Sequence, residues 1–417
     1  MADLKPLLRP LRLIPFTYRD TPGFLLQDPL RLSPHVLFVP ADLAPVLALM
    51  DGTHTPQAMR AAMLVRYGVP LPPEVLDRLI QDLDQAYFLE NDRFRAYQAR
   101  RLASYRAGPY REPSHAGEVY PKEPEALRAQ MDTYLRTVLA HEKLAGPVVG
   151  VVSPHIDYAR GHRVYAAAWS LAREALQRAE RVIVLATDHN APPGAITLTR
   201  QSYATPYGVL PTAQDVVDRL AAALGEEEAF RHEVHHIGEH AAELALVWAH
   251  HLRDGRAVDV VPILLGGLDH YFGSGRHPRE DVAWSRVADI LRAAVDEKPT
   301  VVVAAVDLAH VGPAFGDPAP WNDADKARLR AADETLLAAI RAGQPDAFYE
   351  AVAATRDRYR ICGFGPLYMY LRVLEGLPTH IAAYEHAPAD DQFGSVVSIA
   401  GGVTWVPRPA SAEEETS

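Results

Sequence analysis

Histidines and an aspartate follow three apolar, β-branched runs of the sequence, close to the point where each run ends. His155 and His189 come three residues after the first two runs, and Asp307 and His310 follow the third. Short β-branched runs separated by helical stretches predict a largely parallel sheet that is buried on both faces. The ligand crevice of an open α/β sheet lies beyond the carboxyl ends of its strands. We therefore expect these side chains to meet at one edge, as a metal site or an acid–base site requires.

The single cysteine of the chain, Cys362, lies directly before a predicted helix. The dipole of a helix N-terminus favours the thiolate, which is the form that attacks electrophiles and binds metals. His155, His189 and Cys362 would together form an open three-ligand set for iron, copper or zinc. The alternative is that Cys362 is a small buried apolar residue and that each histidine only forms hydrogen bonds at a strand end.

A second motif, His-Ile-Gly-Glu-His at 236–240, matches the H-x-x-E-H signature of inverted zinc proteases. That chemistry requires both histidines on one face of a helix. Gly238 would cost about 1 kcal/mol relative to alanine inside a helix, and the apolar period begins only after Glu239. We therefore expect the helix to begin near Glu239, which spoils the protease geometry. Glu239 and Glu243 are expected to line the pocket or to act as acids at the helix start.

Composition limits the class of protein and its partners. The chain has 417 residues, of which 48% are hydrophobic and 23% charged, as in soluble globular proteins, and it is long enough for two domains. The net charge of −11 argues against nucleic-acid and anionic-membrane partners. No apolar stretch approaches the roughly 18 residues of a spanning helix. The absence of a signal-peptide pattern and the single cysteine predict a cytoplasmic protein.

Four parts are predicted along the chain: an N-terminal unit at 1–92, a linker at 93–110, an α/β domain at 111–408 and a disordered tail at 409–417. The linker is expected to be a connecting helix followed by extended chain. The predicted fold class is α/β, with a mostly parallel or mixed sheet flanked by helices and a small winged-helix-like N-terminal domain. In the large domain, periodicity predicts helices at 215–224, 239–252, 280–295, 325–341 and 366–374, and strands at 258–265, 379–384 and 395–404.

The N-terminal unit shows two short strands within 24–39, helices at 57–67 and 73–86, and a closing strand at 87–89. This order resembles a winged helix, and the residues at 49–55 and 85–89 resemble PqqD-like peptide-recognition domains. Three roles are open: packing or homo-oligomer contacts, docking of a peptide by strand addition, and DNA binding. The acidic second helix disfavours DNA.

The large domain resembles the MEMO-like family. Residues 111–117, Arg-Glu-Pro-Ser-His-Ala-Gly, resemble the opening of that domain, and Ser-Pro-His-Ile-Asp-Tyr at 153–158 resembles its P-H-A-G-Y segment. Further matches follow in order at 203–208, 239–243, 261–267, 307–312 and 361–363. The resemblance implies a fold related to class III extradiol dioxygenases and a metal held by His155, His189 and Cys362. It also implies Asp307 and His310 as pocket residues.

The chain departs from that family at three places. A histidine pair becomes His189-Asn190, a glycine becomes Asp157, and C-G-R-H-P becomes Cys-Gly-Phe-Gly-Pro at 362–366. All three implied ligands are kept, which favours a retained metal. The missing arginine and histidine leave the substrate open.

Two functions are expected from these features. The first is a mononuclear non-haem metal-dependent oxidoreductase, dioxygenase-like, with Fe(II) as the expected divalent metal and copper or zinc as alternatives. It would act on a small-molecule or peptide substrate, with His310 as acid or base oriented by Asp307 and with Asp188 orienting His189. The second is a non-catalytic scaffold that binds peptides. The PqqD-like unit further suggests a radical-SAM or another peptide-modification system as partner.

Overall fold

The computed structural model describes residues 4–138 and 144–408, so the tail at 409–417, predicted to be disordered, lies outside the described residues. The chain divides into two compact units, Met1–Gly108 and Pro109–Ser417. Most of the segment predicted as a linker is a single helix that belongs to the first unit. Within the described ranges, no helix is both long enough and apolar enough to span a membrane.

Over its described residues, 4–108, the first unit contains a three-stranded antiparallel sheet and four helices. Its elements are β1 (Arg12–Tyr18), β2 (Thr21–Gln27), β3 (Val36–Pro40), α1 (Ala44–Leu47), α2 (Pro56–Tyr67), α3 (Pro73–Gln85) and α4 (Asp92–Ala107). The sequence predicted β2 and β3 but not β1, which contains Pro15 and is an almost fully exposed edge strand. Proline is tolerated at such an edge because no neighbour needs its missing N–H. The predicted closing strand is reduced to one bridge, between Leu89 and Leu8.

The second unit is built on a mixed sheet of eight strands. Its strands are β4 (Val148–Ser153), β5 (Arg181–Thr187), β6 (Ile196–Leu198), β9 (Asp259–Leu265), β10 (Thr300–Ala305), β11 (His310–Val311), β12 (Thr379–Pro388) and β13 (Val396–Trp405), and a separate hairpin consists of β7 (Tyr203–Thr205) and β8 (Gly208–Leu210). The order is β11-β13-β4-β10-β5-β9-β6, with β12 paired to β13. The four strands β4, β10, β5 and β9 are mutually parallel. Each outer strand pairs antiparallel with its neighbour: β13 with β4, β6 with β9, and β11 and β12 with β13. The predicted α/β fold with a mixed sheet is confirmed.

Helices cover both faces of this sheet. They are α5 (Pro124–Leu135), α6 (Tyr158–Arg178), α7 (Gln214–Leu224), α8 (Glu226–Ala229), α9 (His240–Leu252), α10 (Val282–Glu297), α11 (Asp323–Arg341), α12 (Pro345–Ala354) and α13 (Phe364–Val373). One core lies under α5, α6 and α9, and the other under α7 and α10 to α13. Successive residues of β5 alternate between the two cores: Val182 and Val184 belong to one, Ile183 and Leu185 to the other. This explains why the strand sequence is apolar throughout.

The parallel strands place their carboxyl ends at one edge of the sheet. The chain leaves β4 towards His155, β5 towards His189 and β10 towards Asp307. Helices that connect parallel strands run antiparallel to them, so a helix N-terminus also lies at this edge. The N-terminus of α9 is such a helix end, and it carries His240.

Candidate metal centre

Three histidines meet at this edge of the sheet. The donor nitrogens of His155, His189 and His240 all lie within 4.8 Å of one another. His155 is buried, with 2% of its surface exposed, whereas the side chains of His189 and His240 are 32% and 34% exposed. The group, called the histidine cluster below, is therefore closed on the protein side and open to solvent on the other.

The end of β10 orients His155. Its Nδ1 lies 3.0 Å from the carbonyl oxygen of Ala305, and its backbone N–H donates to Oδ1 of Asp307 at 2.9 Å. A carbonyl only accepts hydrogen bonds, so Nδ1 of His155 carries the proton. The other ring nitrogen, Nε2, remains as the donor atom for a metal.

Glu239 orients the other two rings. It is the N-cap residue of α9, and its side chain accepts from the backbone N–H groups of His240 and Ala241 at 2.8 and 3.0 Å. The same carboxylate lies 3.0 Å from Nδ1 of His189 and 3.0 Å from Nδ1 of His240. A carboxylate behind each imidazole is the usual arrangement around metal-bound histidines.

Cys362 also reaches the cluster. Its Sγ lies 3.2 Å from Nε2 of His155 and 3.5 Å from the carbonyl oxygen of Asp307. The approach depends on Gly363, where a Cβ would come within 2.7 Å of the Asp307 carbonyl oxygen and of Val306 Cβ. The predicted ligand set of His155, His189 and Cys362 stays a prediction, and the structure adds His240 to the candidates.

The charges of the cluster are strongly coupled. Burial, together with the neighbouring His189 and His240, holds the pKa of His155 well below its usual value. Burial also acts to lower the pKa of His189, but the charge of Glu239 and hydrogen bonds to Cys362 and Glu239 raise it well above the usual value. Burial raises the pKa of Cys362, with the hydrogen bond to His189 opposing it. The thiolate bias expected from the helix start is thus outweighed by desolvation.

Asp307 does not orient His310, contrary to the sequence-based expectation. Its Oδ1 accepts from the backbone N–H groups of His155 and Ile156, and its Oδ2 lies 3.7 Å from Nε2 of His155. Because β10 ends at Ala305, Asp307 turns back onto the residues that follow β4, whereas His310 already belongs to β11. Burial raises the pKa of Asp307 to about 6.

His310 is held instead by two backbone carbonyls. Its Nδ1 lies 3.1 Å from the oxygen of Leu308 and 3.2 Å from the oxygen of Arg360. Burial and the nearby positive charge of His189 lower the pKa of His310 to about 4. A neutral imidazole with its proton on Nδ1 is a hydrogen-bond acceptor at Nε2.

Asp188 does not orient His189. Its two carboxylate oxygens lie 3.0 and 2.9 Å from Nδ1 of His235, and Glu239 takes the place at His189. The carboxylate of Asp188 is therefore bonded to the ring of His235 and not to that of His189.

The rival H-x-x-E-H motif is divided by the structure. Residues Glu233–Ile237 form a short 3-10 helix that ends before α9. The buried ring of His236 contacts the Tyr203 hydroxyl at 2.6 Å and the Thr197 carbonyl oxygen at 3.2 Å, whereas His240 belongs to the histidine cluster. His236 and His240 therefore do not lie on one face of a helix. This agrees with the sequence-based expectation that the helix begins near Glu239.

His240 was missed as a candidate ligand because the sequence marks it as a helix-start residue. Residues 239–243 match the family's pattern, but helical periodicity describes only the apolar side of α9. One signal was present: the N-terminus of a helix in a parallel α/β fold lies at the carboxyl edge of the sheet. A histidine at that position belongs to the same edge as His155 and His189.

The fold and the histidine cluster define an α/β protein with a candidate metal centre at the carboxyl ends of its parallel strands. A family model described as "Memo-like protein" matches residues 111–403. The chain belongs to this Memo-like family.

Several curated relatives are themselves described as MEMO1 family proteins. One from Aquifex aeolicus is 26% identical over 413 residues, which is 96% of this chain and 100% of the relative. That similarity therefore includes the first unit. One from Archaeoglobus fulgidus is 25% identical over 70% of this chain and 98% of the relative. Another, from Thermus thermophilus, is 26% identical over 74% of this chain and 87% of the relative.

Proposed function

We propose that this protein is a mononuclear, non-haem metal-dependent oxidoreductase of the dioxygenase-like type, acting on a small-molecule or peptide substrate. One observation carries the proposal: three imidazoles converge within 4.8 Å at the sheet edge, and an acceptor stands behind each Nδ1. Imidazole and thiolate ligands suit iron, copper and zinc, so the donor set fits a divalent transition metal. Fe(II) is our first candidate, with copper and zinc as alternatives.

A metal held by His155, His189 and His240, with Cys362 adjacent, would supply open positions for substrate and dioxygen. The protein groups then have separate tasks. His310 is neutral at pH 7, because burial lowers its pKa to about 4, and its Nε2 would accept a hydrogen bond from a substrate hydroxyl. Asp307 places a buried carboxylate beside His155 and adds negative charge that favours a bound cation.

The test begins with the metal content of anaerobically purified protein. We expect close to one equivalent in the wild type and a large loss in His155→Ala, His189→Ala and His240→Ala. Oxygen uptake is then measured with catechols and with tyrosine- or cysteine-containing peptides as probes. Uptake by the Fe(II)-loaded wild type that is lost in His310→Ala supports the proposal. Unchanged metal content in all three histidine variants would rule it out.

A second candidate function is a peptide-binding scaffold, and β1 favours it. Among the described residues this strand pairs only with β2, and an edge strand of this kind carries unpaired backbone groups to which an extended peptide can add. Its side chains Leu13, Phe16 and Tyr18 are 45%, 44% and 49% exposed. An extended peptide could gain backbone hydrogen bonds and apolar contacts there. In an enzyme this unit would dock the peptide substrate, for example beside a radical-SAM modification system.

Selection from a random peptide display library against the full chain would test this docking role. Selected peptides should bind with micromolar affinity or better and lose at least tenfold on Phe16→Asp. Val65→Asp is the matched control, because Val65 is 82% exposed on α2 outside the sheet. Equal losses in both variants would argue against strand addition at β1.

A further inference from the structure

Glu239 is a buried carboxylate, 4% exposed, with contacts to two members of the histidine cluster. Its Oε2 lies 3.0 Å from Nδ1 of His189 and accepts from the backbone N–H of His189 at 3.2 Å. Its Oε1 lies 3.1 Å from Nδ1 of His189 and 3.0 Å from Nδ1 of His240. A single side chain thus contacts two rings that come from elements about 50 residues apart.

The backbone of Glu239 is itself held by a buried arginine. Arg111, 1% exposed, donates through Nε to the carbonyl oxygen of His236 at 2.8 Å and through Nη2 to that of Glu239 at 2.9 Å. The guanidinium is also paired with Glu243, one turn further along α9. Burial would raise the pKa of Glu243, but the charge of Arg111 and the contacts with His115 and Tyr120 together hold the pKa well below its usual range. Arg111 and Glu243 therefore hold the start of α9 rigidly.

We propose that Glu239 is the positioning residue of the metal centre: its carboxylate holds the Nδ1 protons of His189 and His240, so that both Nε2 atoms face the metal. This inference rests on the proposed function for its metal, but the hydrogen-bond arrangement is a property of the metal-free chain. Glu239 is not a ligand in this account and acts only through the two imidazoles.

Glutamine at position 239 would separate this role from helix capping. The amide oxygen of Glu239→Gln can still accept from the backbone N–H groups of His240 and Ala241, so the cap is kept. The amide nitrogen then replaces Oε2 and faces the backbone N–H and Nδ1 of His189. Two donors cannot bond to each other, and the one remaining oxygen already accepts from the backbone N–H groups of His240 and Ala241. The proton of His189 is therefore expected to move to Nε2, the nitrogen that a metal needs.

The experiment uses metal-free full-length protein labelled with 15N-histidine, at a pH high enough that the ring of His189 carries a single proton, and long-range 1H–15N correlations that report which ring nitrogen carries it. Resonances of His189 are assigned by their loss in His189→Gln. We expect Nδ1 of His189 to be protonated in the wild type and unprotonated in Glu239→Gln. Zinc affinity, measured by competition with a chromophoric chelator, should fall by about 10- to 100-fold in the same variant.

Asp333→Asn is the matched control, because it also converts a buried carboxylate into an amide. Asp333 lies on α11 and accepts from the Tyr384 hydroxyl, and none of its hydrogen bonds involves the cluster. Its substitution should leave the His189 ring and the zinc affinity unchanged. Glu239→Asp, which keeps two acceptor oxygens, should keep the proton on Nδ1.

The outcomes test the positioning role of Glu239 separately from the proposed metal-dependent function. A purely structural role predicts that Glu239→Gln lowers stability while ring protonation and zinc affinity stay as in the wild type, and this result would overturn the inference. An unprotonated Nδ1 of His189 in the wild type would overturn it without any variant. If the wild type binds no metal but the ring result is as expected, the proposed function fails and the positioning role of Glu239 stands.

Discussion

The Sγ atom of Cys362 lies 3.2 Å from Nε2 of His155, although 207 positions separate the two residues in the sequence. The contact is made by the loop before α13, which is tied to the end of β10 by a hydrogen bond from the Gly363 N–H to the Asp307 carbonyl oxygen at 3.1 Å. A soft sulfur beside imidazole nitrogens changes which metals the site prefers. Four residues, three histidines and one cysteine, are thus candidates for the first coordination sphere.

Cobalt substitution tests whether that sulfur is a ligand. The Co(II)-loaded wild type should show a near-ultraviolet thiolate-to-metal charge-transfer band, and Cys362→Ser should lose the band while the histidines still bind cobalt. His240→Ala should keep the band and lose affinity by at least tenfold. If the wild type shows no such band, Cys362 lies beside the metal and the ligand set is His155, His189 and His240.

Metal binding should strengthen as the pH rises. In the metal-free protein the pKa of His189 is raised well above its usual value, mainly by Glu239, and the pKa of Cys362 is raised by burial. Both groups therefore carry protons at neutral pH that a metal must displace. Each displaced proton makes the affinity rise about tenfold per pH unit. Chelator competition for zinc at pH 6, 7 and 8 measures the slope, and a pH-independent affinity would contradict this account.

Gly363→Ala should disturb both stability and metal binding. The added Cβ would approach the Asp307 carbonyl oxygen and Val306 Cβ to 2.7 Å, so the backbone must shift. We expect a loss of about 1–3 kcal/mol in the free energy of unfolding, typical of overpacking, and a reduced metal content because Cys362 moves with the loop. Gly267→Ala is the control, since its Cβ would meet only the Asp269 side chain, at 3.1 Å. Thermal unfolding and metal analysis of both variants provide the comparison.

Asp333→Asn should stabilise the protein at alkaline pH and not at acidic pH. Burial raises the pKa of Asp333 to about 6, from an ordinary value of 3.8 in the unfolded chain. A carboxyl with a raised pKa in the folded state contributes full stability below pH 3.8, and this contribution is lost as the pH rises through 6. The asparagine variant avoids that loss, so we expect a gain of about 1–3 kcal/mol at pH 8 that disappears near pH 4. Urea unfolding at the two pH values measures it, and an equal effect at both would refute the assignment.

Much of the fold could be read from periodicity, because each element carries its own pattern. The three apolar runs before His155, His189 and Asp307 are the strands β4, β5 and β10, and the helices α7 and α9 to α11 lie within two residues of their predicted bounds. β1 could not be found this way, because it is exposed on both faces and contains Pro15. The apolar pattern of a strand arises because one or both of its faces are buried, so an edge strand with no buried face has no such pattern.

The sequence by itself determined that His155 and His189 stand at one edge of the sheet, because any residue that follows a parallel strand must lie there. Only the tertiary structure decided that His240 joins them, that Glu239 rather than Asp188 stands behind His189, and that Asp307 bonds to the residues after β4 rather than to His310. The physical reason is that the first result depends on local sequence and the others on contacts between residues far apart in the chain. Strand direction is set by local pattern, whereas a hydrogen-bond partner depends on how the chain turns after the strand and on which distant helix packs against it.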